Sequence, residues 1–248
     1  MLIEKAIRIL REEGIKIFFK KSFRYLQDKF QFLPYLHFFF KIKKFNSDDI
    51  NESVDFVFNR LSLIKPAQNT EEISQLLQIL KERKPKVILE IGTAKGGTLF
   101  LFSRIASDDA TLISIDLPRG RFGGGYPIWK IPLYKSFARK DQKIYLIRED
   151  SHNQETLKKV KNILNDKKID FLFIDGDHSY EGVREDYQMY SKLVKRGGII
   201  AFHDIVPHPP ETGCDVNRFW LEVREPMRHI EIVKNWSQGW AGIGVIFV

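Results

Sequence analysis

Cysteine is nearly absent from this 248-residue sequence; the only one is Cys214. No intrachain disulfide can form and no multi-cysteine zinc site can be built, which fits a reducing compartment and makes a cytoplasmic location the expectation. Long apolar runs are missing as well. The strongest apolar cluster near the start, around Leu36–Phe40, falls far short of the ~20 residues that a membrane-spanning helix needs. Glu4, Lys5, Arg8, Arg11, Glu12 and Glu13 interrupt any secretory apolar region. Internal repeats and low-complexity tracts are also absent. What remains, with 43% hydrophobic residues, is long enough for one full α/β domain with a sizeable core.

The net charge of +8 suggests nucleic acid until its distribution is read. Residues 1–45 hold eleven Lys/Arg against Glu4, Glu12, Glu13 and Asp28, a local net of +7, which leaves the body near +1. No nucleic-acid partner is therefore expected. The same basic stretch carries Ile3, Ile7, Leu10, Ile15, Phe18, Phe19, Phe23 and Leu26 at helical spacing, then Phe30, Phe32, Tyr35 and Phe38–Phe40. Two short amphipathic helices are expected over 2–28. Their apolar stripe suits a cap packed on the domain or on a second subunit of a homo-oligomer; the basic and aromatic mixture also suits peripheral contact with an anionic membrane. Residues 46–69 read as linker, so the expected division is an extension over 1–65 and a main domain over 66–248.

From residue 70 the pattern becomes regular. Thr70 opens a helix to about Arg83, and Lys86–Ile91 is a buried strand. A turn from Gly92 to Gly97 enters the helix Thr98–Ala106, and Thr111–Asp116 is the next strand. Residues 117–135 form an insertion rich in glycine, proline and aromatics, ending in a short helix near Leu133–Ala138. Strands at Lys143–Ile147, Asp170–Ile174 and Gly198–His203 alternate with helices at Gln154–Leu164 and Tyr180–Val194. This alternation predicts a parallel sheet covered on both faces. A helix near Val216–Arg224 then precedes two strands, His229–Val233 and Gly242–Val248, joined closely enough to be antiparallel.

The chemistry-bearing signal is Glu90-Ile-Gly92-Thr93-Ala-Lys-Gly96-Gly97 after the first strand, with Asp116 ending the second. Ligands of open α/β sheets bind beyond the carboxyl ends of the strands, so these residues share a crevice. Glycine lets the backbone approach a ligand, and Asp116 is placed to accept from ribose hydroxyls. A dinucleotide would fit the spacing, but the order is G-x-x-x-G-G, and Glu90 would set negative charge where a pyrophosphate belongs. A cationic ligand is the better match.

These segments resemble class I S-adenosylmethionine (SAM)-dependent methyltransferases. Phe173-Ile-Asp175-Gly-Asp177-His178-Ser-Tyr180 and Gly197-Gly-Ile-Ile-Ala-Phe-His203-Asp204 resemble the subgroup of macrolide-sugar O-methyltransferases and cephalosporin-hydroxylase-like proteins. The likeness covers about residues 70–248. It implies a Rossmann-like, doubly wound seven-stranded sheet with an antiparallel last strand. It also implies SAM held by Glu90, Gly92, Thr93, Gly96, Asp116 and Asp175, with Asp150 and Ser151 near the adenine. In metal-dependent members of such families a magnesium ion is held after the fourth and fifth strands, positions matched by Asp175, His203 and Asp204. His203 replaces the usual oxygen donor, so Mg2+ and another divalent cation both stay open. Two schemes follow: a divalent ion on Asp175 and Asp204 activates an acceptor hydroxyl, or His178 or His203 serves as general base.

The expected reaction is O-methylation of a hydroxyl on a sugar, glycan or other small acceptor. Glycine-rich residues 118–129 are expected to act as a lid, and Tyr126, Trp129, Trp236 and Trp240 to stack on the acceptor. Asp177 is expected to cap the helix that starts at Tyr180. An NAD(P)-dependent oxidoreductase is the enzymatic alternative, opposed by Glu90. A non-catalytic membrane-associated scaffold is the other, opposed by the presence of Glu90, Asp116, Asp175 and Asp204.

Overall fold

The structure, a computed structural model, describes residues 36–248. The amphipathic helices expected over 2–28 lie outside the described residues. Two compact units are present, Met1–Phe45 and Asn46–Val248. In the first, residues 36–44 are helical. No helix among the described residues is long and apolar enough to cross a membrane.

The second unit begins within the stretch read as linker. Asp49 accepts from the Glu52 amide at 2.8 Å and caps helix α1, Ile50–Asp55. A π-helical turn, Phe56–Arg60, and a 3-10 turn, Ser62–Ile64, follow. Val57, Leu61 and Ile64 are fully buried, so these residues are part of the domain core. The sequence concealed this because the buried positions fall on three different local geometries, and no single period runs through them.

Asn69, one residue before the expected start, caps helix α2, Thr70–Arg83, by accepting from the Glu71 amide. Strand β1 is Val87–Ile91, helix α3 Gly97–Ile105 and strand β2 Thr111–Ile115. Helix α4, Ile131–Lys135, is followed by strand β3, Lys143–Ile147, and helix α5, Gln154–Leu164. Strand β4, Ile169–Ile174, leads to helix α6, Tyr180–Tyr190, and strand β5, Val194–His203. Helix α7, Val216–Val223, precedes strands β6, Arg228–Ile232, and β7, Ile243–Phe247.

The strands form one seven-stranded sheet in the order β3-β2-β1-β4-β5-β7-β6. β1 to β5 are parallel, and β7 runs antiparallel to both β5 and β6. The fold is thus the Rossmann-like α/β architecture that the alternation predicts. On one face of the sheet, Leu157, Val160 and Leu164 of α5, Val183 and Tyr190 of α6, and Phe219 and Trp220 of α7 join one core with apolar residues of β1, β4 and β5. Burying each such side chain is worth about 1.5–3 kcal/mol. Because the chain runs from β1 outward to β3 and then returns to place β4 on the other side of β1, the sheet has its switch point between β1 and β4. A crevice opens there, beyond the strands' carboxyl ends.

Candidate functional site

Two backbone bonds set the floor of the crevice. The Gly92 amide donates to Ile115 O and the Asp175 amide to Ile91 O, each at 2.8 Å, so the turns after β1, β2 and β4 are held together. Gly92 has φ +96°, and a Cβ there would lie 1.9 Å from the Asp175 carbonyl oxygen. Only glycine lets these two turns approach so closely.

Above this floor lies a cavity of about 370 Å³ lined by Gly92, Asp116, Asp150, Ser151, Asp175, His178, His203 and Asp204, among others. That size is within the range of small-molecule sites. At one end Asp116 is almost fully buried, its two carboxylate oxygens accepting from the Ala94 amide at 2.6 Å and the Gly125 amide at 2.7 Å. Burial raises its pKa, against the pull of those amides. The carboxylate keeps acceptor capacity for a hydroxyl. Beside it, the Tyr190 hydroxyl holds Ser151 O at 2.7 Å, and Asp150 accepts from the His152 amide at 2.9 Å. His152 sits 3.3 Å from the buried Asp186, which holds the imidazole cationic, its pKa pushed up to about 9.

The opposite end is a knot of carboxylates and imidazoles. His203 Nδ1 lies 3.1 Å from Asp175 Oδ1 and 3.2 Å from Asp204 Oδ1. These are ion-pair distances without hydrogen-bond alignment, and both ring nitrogens are buried without a hydrogen-bond partner. His178 Nδ1 is 2.6 Å from Asp204 Oδ2, and His208 Nε2 is 3.2 Å from Asp204 Oδ1. Asp204, at φ +64°, also accepts from the Ala241 amide at 3.0 Å. Gln68 donates to Asp175 Oδ2 at 2.9 Å. Burial opposes a charge on His178, but the Asp204 and Cys214 hydrogen bonds and the Asp175 charge overcome it, lifting the pKa to about 10. His203 rises well above its usual value because Asp204 and Asp175 outweigh its burial, while Asp204 falls well below its own, drawn down by the imidazoles despite its burial. Three imidazoles on one carboxylate repel one another when all are charged.

A family model described as a methyltransferase domain matches residues 89–205, the span from β1 through β5. Over those residues the chain is similar to a methyltransferase domain. Among curated proteins, the chain is 32% identical over 145 residues to the uncharacterized protein R132 of Acanthamoeba polyphaga mimivirus, covering 58% of this chain and 63% of that one. It is 30% identical over 155 residues to a probable caffeoyl-CoA O-methyltransferase of Dictyostelium discoideum, covering 62% and 56%. The chain thus spans less than two thirds of the length of these relatives. In three dimensions it resembles the O-methyltransferase TomG of Streptomyces achromogenes, solved with SAM, at TM-score 0.54 and 17% identity, covering 82% of this chain and 91% of that one. The O-methyltransferase of Bacillus cereus, solved with SAH, gives 0.53 and 18%, covering 83% and 93%. At such identities the likeness concerns the fold.

Eight of the expected site residues line the cavity, and three do not. Glu90 is fully buried behind the turn, accepting from the Thr98 hydroxyl and, at 2.7 Å, from the Ser114 hydroxyl. Burial pushes its pKa up to about 8, so the carboxyl is protonated at neutral pH. The expectation that Glu90 charges the pocket is therefore corrected; Asp116, Glu149, Asp150, Asp175, Asp177 and Asp204 line it instead. The Thr93 hydroxyl bonds that of Ser114, and Gly96 lies under the Tyr134 ring, where a Cβ would come within 2.8 Å of it. Both residues shape the turn.

Among the aromatics expected to stack, Tyr126 is buried against Tyr134, with ring centroids 4.7 Å apart. Trp129, Trp236 and Trp240 are exposed, and of the expected four Trp240 lines the cavity. Ser179, not Asp177, caps α6, accepting from the Gly182 amide; Asp177 supports it by accepting from the Ser179 hydroxyl at 2.7 Å. Sequence reasoning missed His152, His208, Gln68, Phe122 and Cys214. The run Val206-Pro-His208-Pro-Pro carries no periodic signal, but a histidine four residues after Asp204 in a proline-stiffened loop was the available clue.

Proposed function

We propose that the protein transfers the methyl group of SAM to a hydroxyl oxygen of a small acceptor, a sugar or glycan precursor being the favoured class. The observation that carries the reading is a single cavity with two chemically different ends. Gly92, Asp116, Asp150 and Ser151 supply a nucleoside end, and Asp175, His178, His203 and Asp204 supply an acid–base end. Its acidic lining suits a sulfonium cation and repels a pyrophosphate, which favours SAM over a dinucleotide. The curated relatives named as O-methyltransferases support oxygen as the acceptor atom.

The transfer is an in-line displacement. The acceptor oxygen forms a bond to the methyl carbon as the carbon–sulfur bond breaks, the bonding electrons remain on sulfur, and the hydroxyl proton passes to a base. Asp116 anchors the ribose and Asp204 orients His178, so catalysis rests on positioning the reactants. His178 and His203 face the acceptor end; Asp175 and Asp204 hold them protonated, so either takes the hydroxyl proton only after passing its own to those carboxylates. Magnesium, which the resemblance implies, fits poorly: the His203 imidazole stands between the two carboxylates where an oxygen donor belongs.

The test is transfer of isotopically labelled methyl from SAM to a panel of hydroxylated acceptors, sugars among them. Label on oxygen is expected, with D116A losing SAM affinity and the double variant H178A/H203A losing turnover by about 10²–10⁴-fold while retaining SAM binding. Label on nitrogen or carbon, or an unaffected double variant, would overturn the reading.

A further inference from the structure

Beside Asp175 and His203 lies a second cluster, which shares His178 and Asp204 with the methyl-transfer reading and adds His208 and Cys214. Ligand atoms of His178, Asp204 and Cys214 all lie within 4.8 Å of one another. His208 joins them through Nε2, 3.2 Å from Asp204 Oδ1, and the two imidazoles draw the pKa of the Cys214 thiol down against its burial. Donors around one tetrahedral ion at about 2.0–2.3 Å are themselves roughly 3–4 Å apart, so small side-chain adjustments bring the four together.

The surrounding backbone prepares the donors. His208 Nδ1 lies 2.8 Å from Val206 O, so Nδ1 donates to that carbonyl and Nε2 is the nitrogen that binds an ion once its proton is displaced. Prolines 207, 209 and 210 stiffen its loop. The Cys214 amide donates to Thr212 Oγ1 at 3.2 Å, and the Asp215 amide to His178 O at 2.8 Å, latching the cysteine loop to the loop after β4. His178, Asp204 and His208 also line the cavity. The set is therefore open on one side, as in zinc sites that keep a position for an exogenous ligand.

We infer that His178, Asp204, His208 and Cys214 bind a borderline-soft divalent transition ion of the zinc class. Thiolate and imidazole donors select such an ion against magnesium and calcium, which prefer oxygen. Asp204 is shared with the Asp175–His203 group, so the ion sits at the acid–base end of the cavity. An ion there occupies His178 and leaves His203 as the free imidazole. The inference deepens the methyl-transfer reading by naming a cation beside the acceptor, but the donor set stands whether or not methyl is transferred.

The full chain, stripped by a chelator, is titrated with cobalt(II), and SAM binding is measured on the same sample by calorimetry. The expected result is a near-ultraviolet thiolate-to-cobalt charge-transfer band with strong visible bands of low coordination, erased by zinc and unaffected by excess magnesium. C214S should lose the charge-transfer band, H208A should weaken cobalt binding at least about tenfold, and D175N should keep the band. Zinc should also protect the Cys214 thiol of the unmutated chain from a thiol reagent, a readout independent of how the variants fold. Cobalt bound without the charge-transfer band, or zinc that leaves the thiol fully reactive, overturns the inference. If SAM binds but the band is missing, the metal proposal alone fails; if the band appears without SAM binding, the methyl-transfer reading alone fails.

Discussion

Glu90 shows how a single side chain can lie beside a functional turn and act on stability. Its carboxyl pKa rises from 4.5 to about 8 because it is enclosed, with the Thr98 and Ser114 hydroxyls compensating only in part. Between those values the folded chain binds a proton that the unfolded chain does not. The contribution is therefore complete below pH 4.5 and is lost as pH rises toward about 8. Replacing the carboxyl by an amide, E90Q, removes this titration while the flanking hydroxyls can still pair with it. Thermal melts should show the unmutated chain losing stability relative to E90Q by up to about 1.4 kcal/mol per pH unit across that window; parallel melting curves would contradict the assignment. The sequence marked Glu90 by its place after β1 but could not tell a cavity-facing carboxylate from an enclosed one. That depends on Ser114, whose side chain meets Glu90 only across the β1–β2 pairing. His208 and Cys214 were illegible for a similar reason, since they gain meaning only once their loops are folded against Asp204.

At the scale of elements, Glu72 on α2 organises the loop between β6 and β7. Fully buried, it accepts from the Lys234 amide at 2.9 Å, the Gln238 side chain at 2.8 Å and the Gly242 amide at 2.8 Å. This clamp positions Trp240 at the cavity and brings Ala241 to Asp204. E72A should strand three donors, cost on the order of 3 kcal/mol, and raise the acceptor KM more than the SAM dissociation constant. Equal effects on both would show that the loop serves the nucleoside end instead. A second cover comes from the glycine-rich insertion, where Gly125 bonds Asp116 and Phe122 lies over His178 at 5.0 Å between centroids.

Most elements were readable because apolar residues recur at the period of a buried strand or a one-sided helix; β3 and α5 match their expected bounds. β5 was read short. Lys195, Arg196 and Gly197 are exposed and break the apolar pattern, while Val194 pairs with Ile169 ahead of a register shift. The π-helical turn at Phe56–Arg60 has no sequence signature of this kind, although Phe56, Val57 and Phe58 are buried in it.

For the whole molecule, the strand order decides function more than any one residue does. Placing β4 beside β1 brings the turn after the first strand and the loop after the fourth into one crevice, and β7 closes the sheet behind β5. This could be anticipated from strands alternating with helices, and the cavity's location from the switch-point rule. The detailed lining could not, because it assembles from loops far apart in the chain. The function rests on this crevice accepting a sulfonium nucleoside. Calorimetric titration of the full chain with SAM, with NAD titrated in parallel, tests it most directly. Saturable SAM binding that weakens at least about tenfold in D116A, with no heat from NAD, is the expected result; NAD binding, or no response to SAM, would contradict it.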